Sequence, residues 1–335
     1  MQGYYYEKLN VVSKKAYDKI VRAIKNRAKE VQVNVLSSDD DFSSVLQAIR
    51  YEYPEFFYVD FNHLRYYKTI LGFIWQIGYS VNTNTQKIIE IEIQKVVDDI
   101  LSGLTGINSK SDIKKIRYLH NYLLKNVSYN YDALSNPDAF PESFGIDGAL
   151  IQKKAVCEGV SKTFKFLCDK IGVDCLIVGG KASLESIGHD LSHAWNIVKI
   201  QNQYTHVDVT WDIGVSQLCK RNRYDYFCVP DSWISIDHDY DEMPICISCE
   251  NTYFYNKKVL FNSITNLKNY LIKELNRQSN VIYFRVEGKN LPKDFSKKIN
   301  ELVKKTAAMY VRKSYTYEIV SNEEQNCYYY RFNYF

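Results

Sequence analysis

The sequence predicts an α+β protein in which a helix carrying a cysteine packs on an antiparallel sheet, with α/β additions at both ends. Three observations carry this. Val156, Val160, Phe164, Leu167 and Ile171 recur at steps of three and four, the apolar stripe of an amphipathic helix that Gly172 closes. Residues 193–200 and 204–211 read as two strands, and the polar Gln201-Asn202-Gln203 between them makes a tight turn, so they pair as a hairpin. On either side of this block, helix and strand patterns intermingle along the chain.

A chain of 335 residues suits two or three domains. The expected division is an N-terminal α/β part over 1–106, a core over 107–250 and a small α/β part over 251–335, with Gly103, Gly106 and Asn108 marking the first boundary. Apolar residues make up 46% of the chain, enough for a sizeable core. Tyrosine is abundant, 29 residues against 3 Met, so many rings pack with a polar tip at the surface. The net charge of +4 is spread over mixed signs, which argues against a nucleic-acid partner; Lys153-Lys154 reads as a solvated approach to a helix. Eight cysteines without framework spacing read as reduced thiols of a cytoplasmic protein. The opening residues lack the apolar stretch of a signal peptide, and no apolar run is long enough to span a bilayer.

In chain order, Val12, Ala16, Ile20, Ala23 and Ile24 predict a helix over 11–29, and Asp41 is placed to cap a second over 42–51 that Pro54 stops. Residues 64–70, 73–81 and 87–93 read as strands, with Gly72 and residues 82–85 as turns. Ile113, Ile116, Leu119, Leu123 and Leu124 predict a helix over 111–126 that carries His120 toward the core. The stretch 135–148, with Pro137, Pro141 and two glycines, is a loop that leads into the cysteine helix and rims a cleft. Residues 175–180 form a short buried strand. After Asp212, residues 226–229 read as a strand and 230–240 as an acidic loop. The last part alternates: helix 263–278, strand 281–286, a helix capped by Asp294, and a hairpin of 315–320 with 327–335.

Chemistry concentrates between Ala155 and Asp212. Cys157 falls in the first turn of its helix, where free backbone N–H groups and the positive end of the dipole favour a thiolate and are placed to hold an oxyanion. His193 opens one strand of the hairpin and Asp208 lies inside the other, within diagonal reach of an imidazole–carboxylate hydrogen bond. Such a bond fixes the tautomer and leaves the other ring nitrogen for a thiol, the logic of nucleophile, base and orienter. Trp195 shares His193's strand face and is expected to wall a substrate channel. Glu158, beside the cysteine, and Tyr131, ahead of the rimming loop, complete the expected cleft.

Metals are not expected. Cys246 and Cys249 form a lone CxxC without a companion pair, even with His206 and His238 as potential recruits, and read as ordinary thiols. The acidic run 237–242 lacks the glycine turn and closing glutamate of a calcium loop.

The segments Cys157-Glu158-Gly159, His193-Ala194-Trp195-Asn196 and His206-Val207-Asp208-Val209-Thr210-Trp211-Asp212, in that order, resemble the transglutaminase-like superfamily, and most of all its bacterial members, relatives of papain-type cysteine proteases. The resemblance covers roughly residues 111–249 and implies a papain-like core with Cys157 as nucleophile, His193 as base and Asp208 as orienter. It implies acyl transfer through a thioester on a protein or peptide substrate without a cofactor: peptide hydrolysis first, protein cross-linking or deamidation second. A non-catalytic interaction module on the same fold is the remaining alternative.

Overall fold

The computed structural model describes residues 3–33, 38–105, 111–183, 190–288, 292 and 294–335; Gly106 and Asn108 lie outside them. The fold is α+β, as the sequence predicts. In the N-terminal part, helices Val11–Lys25 and Asp39–Glu52 pack with a three-stranded antiparallel sheet of β1 (Glu30–Val33), β2 (Arg65–Thr69) and β3 (Gly72–Gln76), with β3 in the middle. Ile20, Ile24, Phe42, Val45, Ile49 and Trp75 bury their side chains between them. Ser38, not Asp41, caps the second helix: its hydroxyl oxygen accepts the Asp41 N–H at 3.1 Å.

The strand expected over 87–93 is instead part of a helix, Thr83–Ser102. The alternation of Ile89, Ile91 and Ile93 imitates a strand, but the Asn82 side chain accepts the Thr85 N–H at 2.9 Å and starts a helix there. Ile93, Val97 and Ile100 then bury one face at helical spacing, while Ile91 is left 71% exposed.

The chain continues through helix Asp112–Asn126, the two-residue strand β4 (Ser128–Tyr129), and the stretch read as loop. That stretch holds its course by tight turns, Pro137–Ala139 and Pro141–Phe144, before β5 (Lys154–Ala155) pairs in parallel with β4. It presses on the next element. A Cβ at Gly159 would stand 2.3 Å from the Ser143 carbonyl oxygen, so the glycine of Cys-Glu-Gly is where helix and rimming loop touch.

The cysteine helix, Cys157–Lys170, packs on the central sheet through Val160, Phe164 and Leu167. That sheet contains β6 (Cys175–Ser183), β7 (Asp190–Ile200), β8 (Gln203–Val207), β9 (Phe227–Val229) and β10 (His238–Tyr240), all antiparallel in the order β10-β6-β7-β8-β9. Gln201 and Asn202 both take positive φ, 50° and 64°, the pair a two-residue hairpin needs to follow the strand twist.

Three expectations change here. Strand β7 reaches back to Asp190, so His193 lies inside it, opposite Gly180. Strand β8 stops at Val207, and Asp208 is the N-cap of helix Val209–Cys219 rather than a strand residue. The acidic loop of 230–240 is a helical turn, Asp231–Ile234, followed by β10, whose His238 side chain is buried.

After β10 the chain builds a further, four-stranded sheet, β11 (Leu260–Phe261), β12 (Val281–Val286), β13 (Tyr315–Asn322) and β14 (Cys327–Tyr334), in the order β11-β12-β14-β13. Helices Ile264–Asn276 and Phe295–Tyr310 bury Leu267, Leu271, Ile299 and Val303 against it. The aromatic last strand faces inward: Tyr328, Tyr330 and Phe332 are fully buried. Their apolar cluster is continuous with Val178, Trp195, Tyr226 and Trp233 of the central part. Among the described residues, no helix is long and apolar enough to cross a membrane.

Candidate active site

The site forms where the cysteine helix meets β6 and β7. Cys157 is the first residue of its helix, after Val156 in extended conformation, so its thiol sits among the unpaired donors of a first turn. His193 on β7 stacks over the Trp195 indole, ring centres 5.8 Å apart and planes 19° from parallel, and leans on Trp211 at 5.7 Å. Its Nε2–H donates to Asp208 Oδ2 at 2.7 Å. The N-cap position explains Asp208's fixed geometry. Oδ1 accepts the Trp211 N–H at 3.1 Å, which turns Oδ2 toward the histidine.

Cys157 and His193 line one cavity of about 780 Å³ between helix Asp39–Glu52 and the β6–β7 sheet, with Gln47, Tyr51 and Ser192 also on its wall. Cys157 is the one cysteine among the lining residues, and all eight cysteines are free thiols. At Gly179, on the cavity floor, a Cβ would meet the Tyr51 hydroxyl at 2.3 Å, so bare backbone is what lets that ring reach the floor.

The electrostatics follow from burial and pairing. Burial alone lowers the His193 pKa, but the Asp208 charge and hydrogen bond, joined by interaction with Cys157, raise it to about 10. Burial pulls Asp208 the other way, and the two histidines facing it win, holding it well below the usual carboxylate range. Both shifts favour the charged forms, an imidazolium against a carboxylate.

The other expected cleft residues are placed differently. Trp195 is 1% exposed and off the cavity wall; its indole N–H donates to His206 Nδ1 at 3.0 Å, so it is a floor beneath His193 rather than a channel wall. Glu158 does reach the wall but is already engaged: Arg50 donates to it twice at 2.5 Å, and Lys162 lies 2.7 Å away. Burial would raise its pKa; Lys162 and Arg50 bring it down to about 2. Tyr131 is 72% exposed and outside the wall. Its neighbour Tyr129 takes the inner place. Burial, then the charge and hydrogen bond of Cys157, push the Tyr129 hydroxyl well up, and the Cys157 backbone N–H also bonds it.

Residues that sequence reasoning left aside enter here. His238 places Nε2 3.1 Å from Asp208 Oδ2 and Nδ1 2.6 Å from Asp237 Oδ1. In the sequence it stands between Asp237 and Asp239 in an acidic run, which hid it. Arg50 and Gln47 come from a helix far upstream, and no local pattern marks them.

His120 is buried and bonded to Asp212 Oδ2 at 2.9 Å, and burial lowers its pKa to about 3, consistent with a packed core histidine. His206, Asp231 and Cys246 bring donor atoms within 4.8 Å of one another; Cys249 is not among them. His206 Nε2–H already donates to Asp231 Oδ1 at 2.8 Å, and Asp231 Oδ2 accepts the Cys246 N–H at 2.8 Å. Burial, then Asp231, push the Cys246 thiol up.

Residues 102–209, the stretch that holds Cys157, His193 and Asp208, match the model of the transglutaminase-like superfamily. Two relatives of the chain are the kyphoscoliosis peptidases of Mus musculus and Homo sapiens. Each is 24% identical over 132 residues, 38% of this chain and 20% of theirs, so the match spans about a fifth of those proteins' length. Similar solved structures include a TGase (TM-score 0.32, 14% identity, 52% of this chain and 48% of that one). Another is a putative cysteine protease from Cytophaga hutchinsonii (TM-score 0.29, 11% identity, 44% and 61%). A third is the periplasmic domain of TgpA from Pseudomonas aeruginosa (TM-score 0.28, 13% identity, 48% and 64%).

Proposed function

We propose that this protein is a thiol-dependent acyl-transfer enzyme acting on a peptide or glutamine amide, with hydrolysis as its reaction. The observation that carries the reading is the 2.7 Å bond from His193 Nε2 to Asp208, with Cys157 and His193 on one cavity wall. Asp208 takes Nε2, so Nδ1 is the nitrogen left to exchange a proton with the thiol. The Cys157 thiolate attacks the substrate carbonyl carbon, and first-turn N–H groups of the cysteine helix hold the oxyanion. His193 gives its proton to the departing amine, leaving a thioester and a neutral ring. The neutral ring takes a proton from water as the water oxygen attacks the thioester carbon; the C–S bond then breaks, the acid leaves, and the thiolate and the imidazolium of the starting pair are restored. The name peptidase on the two mammalian relatives agrees with hydrolysis over amine transfer.

The test is the rate at which iodoacetamide alkylates each cysteine near neutral pH, read by mass spectrometry of the full chain. Cys157 is expected to react fastest, and His193→Ala to slow it at least about tenfold, a loss of about 1.4 kcal/mol of thiolate stabilisation. A Cys157 rate that His193→Ala leaves unchanged removes the thiol–imidazole pair and with it the proposed enzyme.

A further inference from the structure

We propose that His238 is a positioning residue of this site: a second ring on the same oxygen of Asp208, clamped from behind by Asp237, that limits how strongly Asp208 stabilises the His193 imidazolium. The inference rests on the proposed role of His193. Asp208 Oδ2 serves two rings, His193 at 2.7 Å and His238 at 3.1 Å, while Oδ1 is taken by the Trp211 N–H. The carboxylate is therefore divided between the two histidines rather than committed to one.

His238 is fixed in that position. Its other nitrogen faces Asp237 Oδ1 at 2.6 Å. Asp237 Oδ2 accepts the Tyr226 O–H at 2.7 Å and the Gln325 side-chain N–H at 2.8 Å, and the Asn322 amide donates to the Tyr226 oxygen at 3.0 Å. Gln325 also donates to the Trp233 carbonyl, so it bridges two points of the central part. The ring itself lies among Trp195, Trp211 and Tyr226. His193, Asp208, Asp237 and Tyr226 are the titratable groups that face it. All of these are buried, where a hydrogen bond to a charged group is strong and the loss of one is felt.

A ring between two carboxylates offers a donor to each only as an imidazolium. In that form it places a positive charge against Asp208 Oδ2, its ring centre 5.4 Å from that of His193. Removing that charge while keeping one donor leaves Asp208 free to hold the His193 proton more tightly. His238→Gln does this directly, since an amide supplies a neutral donor. Asp237→Asn does it from behind, since the second acceptor that calls for the imidazolium is gone.

The experiment reads His193 itself. In a Cys157→Ala full-length chain, where no thiolate acts on the ring, histidine-selective 15N labelling gives the His193 titration midpoint, assigned by its loss in a His193→Ala chain. Both His238→Gln and Asp237→Asn are expected to raise that midpoint, by about one pH unit, the size of a neighbouring-charge effect at this range. A ring that only filled space would leave it unmoved. Midpoints that stay put or fall in both variants overturn the proposal; if His238→Gln does not fold, Asp237→Asn decides alone. This outcome is separate from iodoacetamide labelling, which tests whether the thiol works with His193 at all.

Discussion

At the scale of the residue, the His193–Asp208 pair makes stability depend on pH in a definite direction. His193 has its pKa raised to about 10 on folding, against an unfolded value of about 6.5. Its contribution is fully present below about pH 6.5 and is lost as pH rises through about 10. Asp208 is depressed, so its contribution is present above its unfolded pKa of about 3.9 and is lost as pH falls through its lower folded value. The pair therefore supports the fold most between about pH 4 and 6.5. Urea unfolding of wild type and His193→Ala at a series of pH values should show a difference on the order of a few kcal/mol in that window, shrinking toward pH 10. A difference that grows with alkalinity would contradict the ion pair.

At the scale of the element, the helix Asp39–Glu52 is fastened to the cysteine helix by Arg50, Glu158 and Lys162. Neither Arg50 nor Glu158 is more than about a quarter exposed, so breaking the pair strands a carboxylate with one cation instead of two. Arg50→Leu is expected to destabilise the protein by about 2–3 kcal/mol in denaturant unfolding; a change under about 0.5 kcal/mol would make the clamp incidental. Elements also decide what was legible in the sequence. The cysteine helix was, because five apolar residues at helical spacing and a closing glycine agree. The hairpin turn was, because Gln201 and Asn202 leave little other use for their positions. The end of β8 was not: apolar and polar residues continue to alternate past Val207, and Asp208, which caps the next helix by accepting the Trp211 N–H, fits the polar place in that alternation equally well. The helix Thr83–Ser102 was hidden by isoleucines that satisfy both periods until one knows which of them is buried. Cys157, His193 and Asp208 could be picked out because each lies in its own local motif, whereas His238 and Arg50 depend on chain-distant partners.

At the scale of the whole molecule, one apolar cluster runs from the central sheet into the last strand, and polar contacts cross the same boundary. Arg223 donates to both oxygens of Asp225 and to the Val320 carbonyl, and the Tyr283 hydroxyl bonds Asp225. The distribution of thiols over this body bears on how the protein ages in air. Cys168 and Cys228 are sealed in the core with their thiols pushed up by burial, and among the described residues no second cysteine lines the cavity that holds Cys157. A sulfenic acid formed on Cys157 by peroxide thus has no resolving thiol beside it to trap it as a disulfide within the cleft. Mild peroxide should first give a sulfenate that added dithiothreitol restores, and longer exposure should pass to the irreversible sulfinate, seen by intact mass as a gain of two oxygens. An internal disulfide to Cys157 as the main product would mean that the chain opens far enough for a buried thiol to reach the cleft.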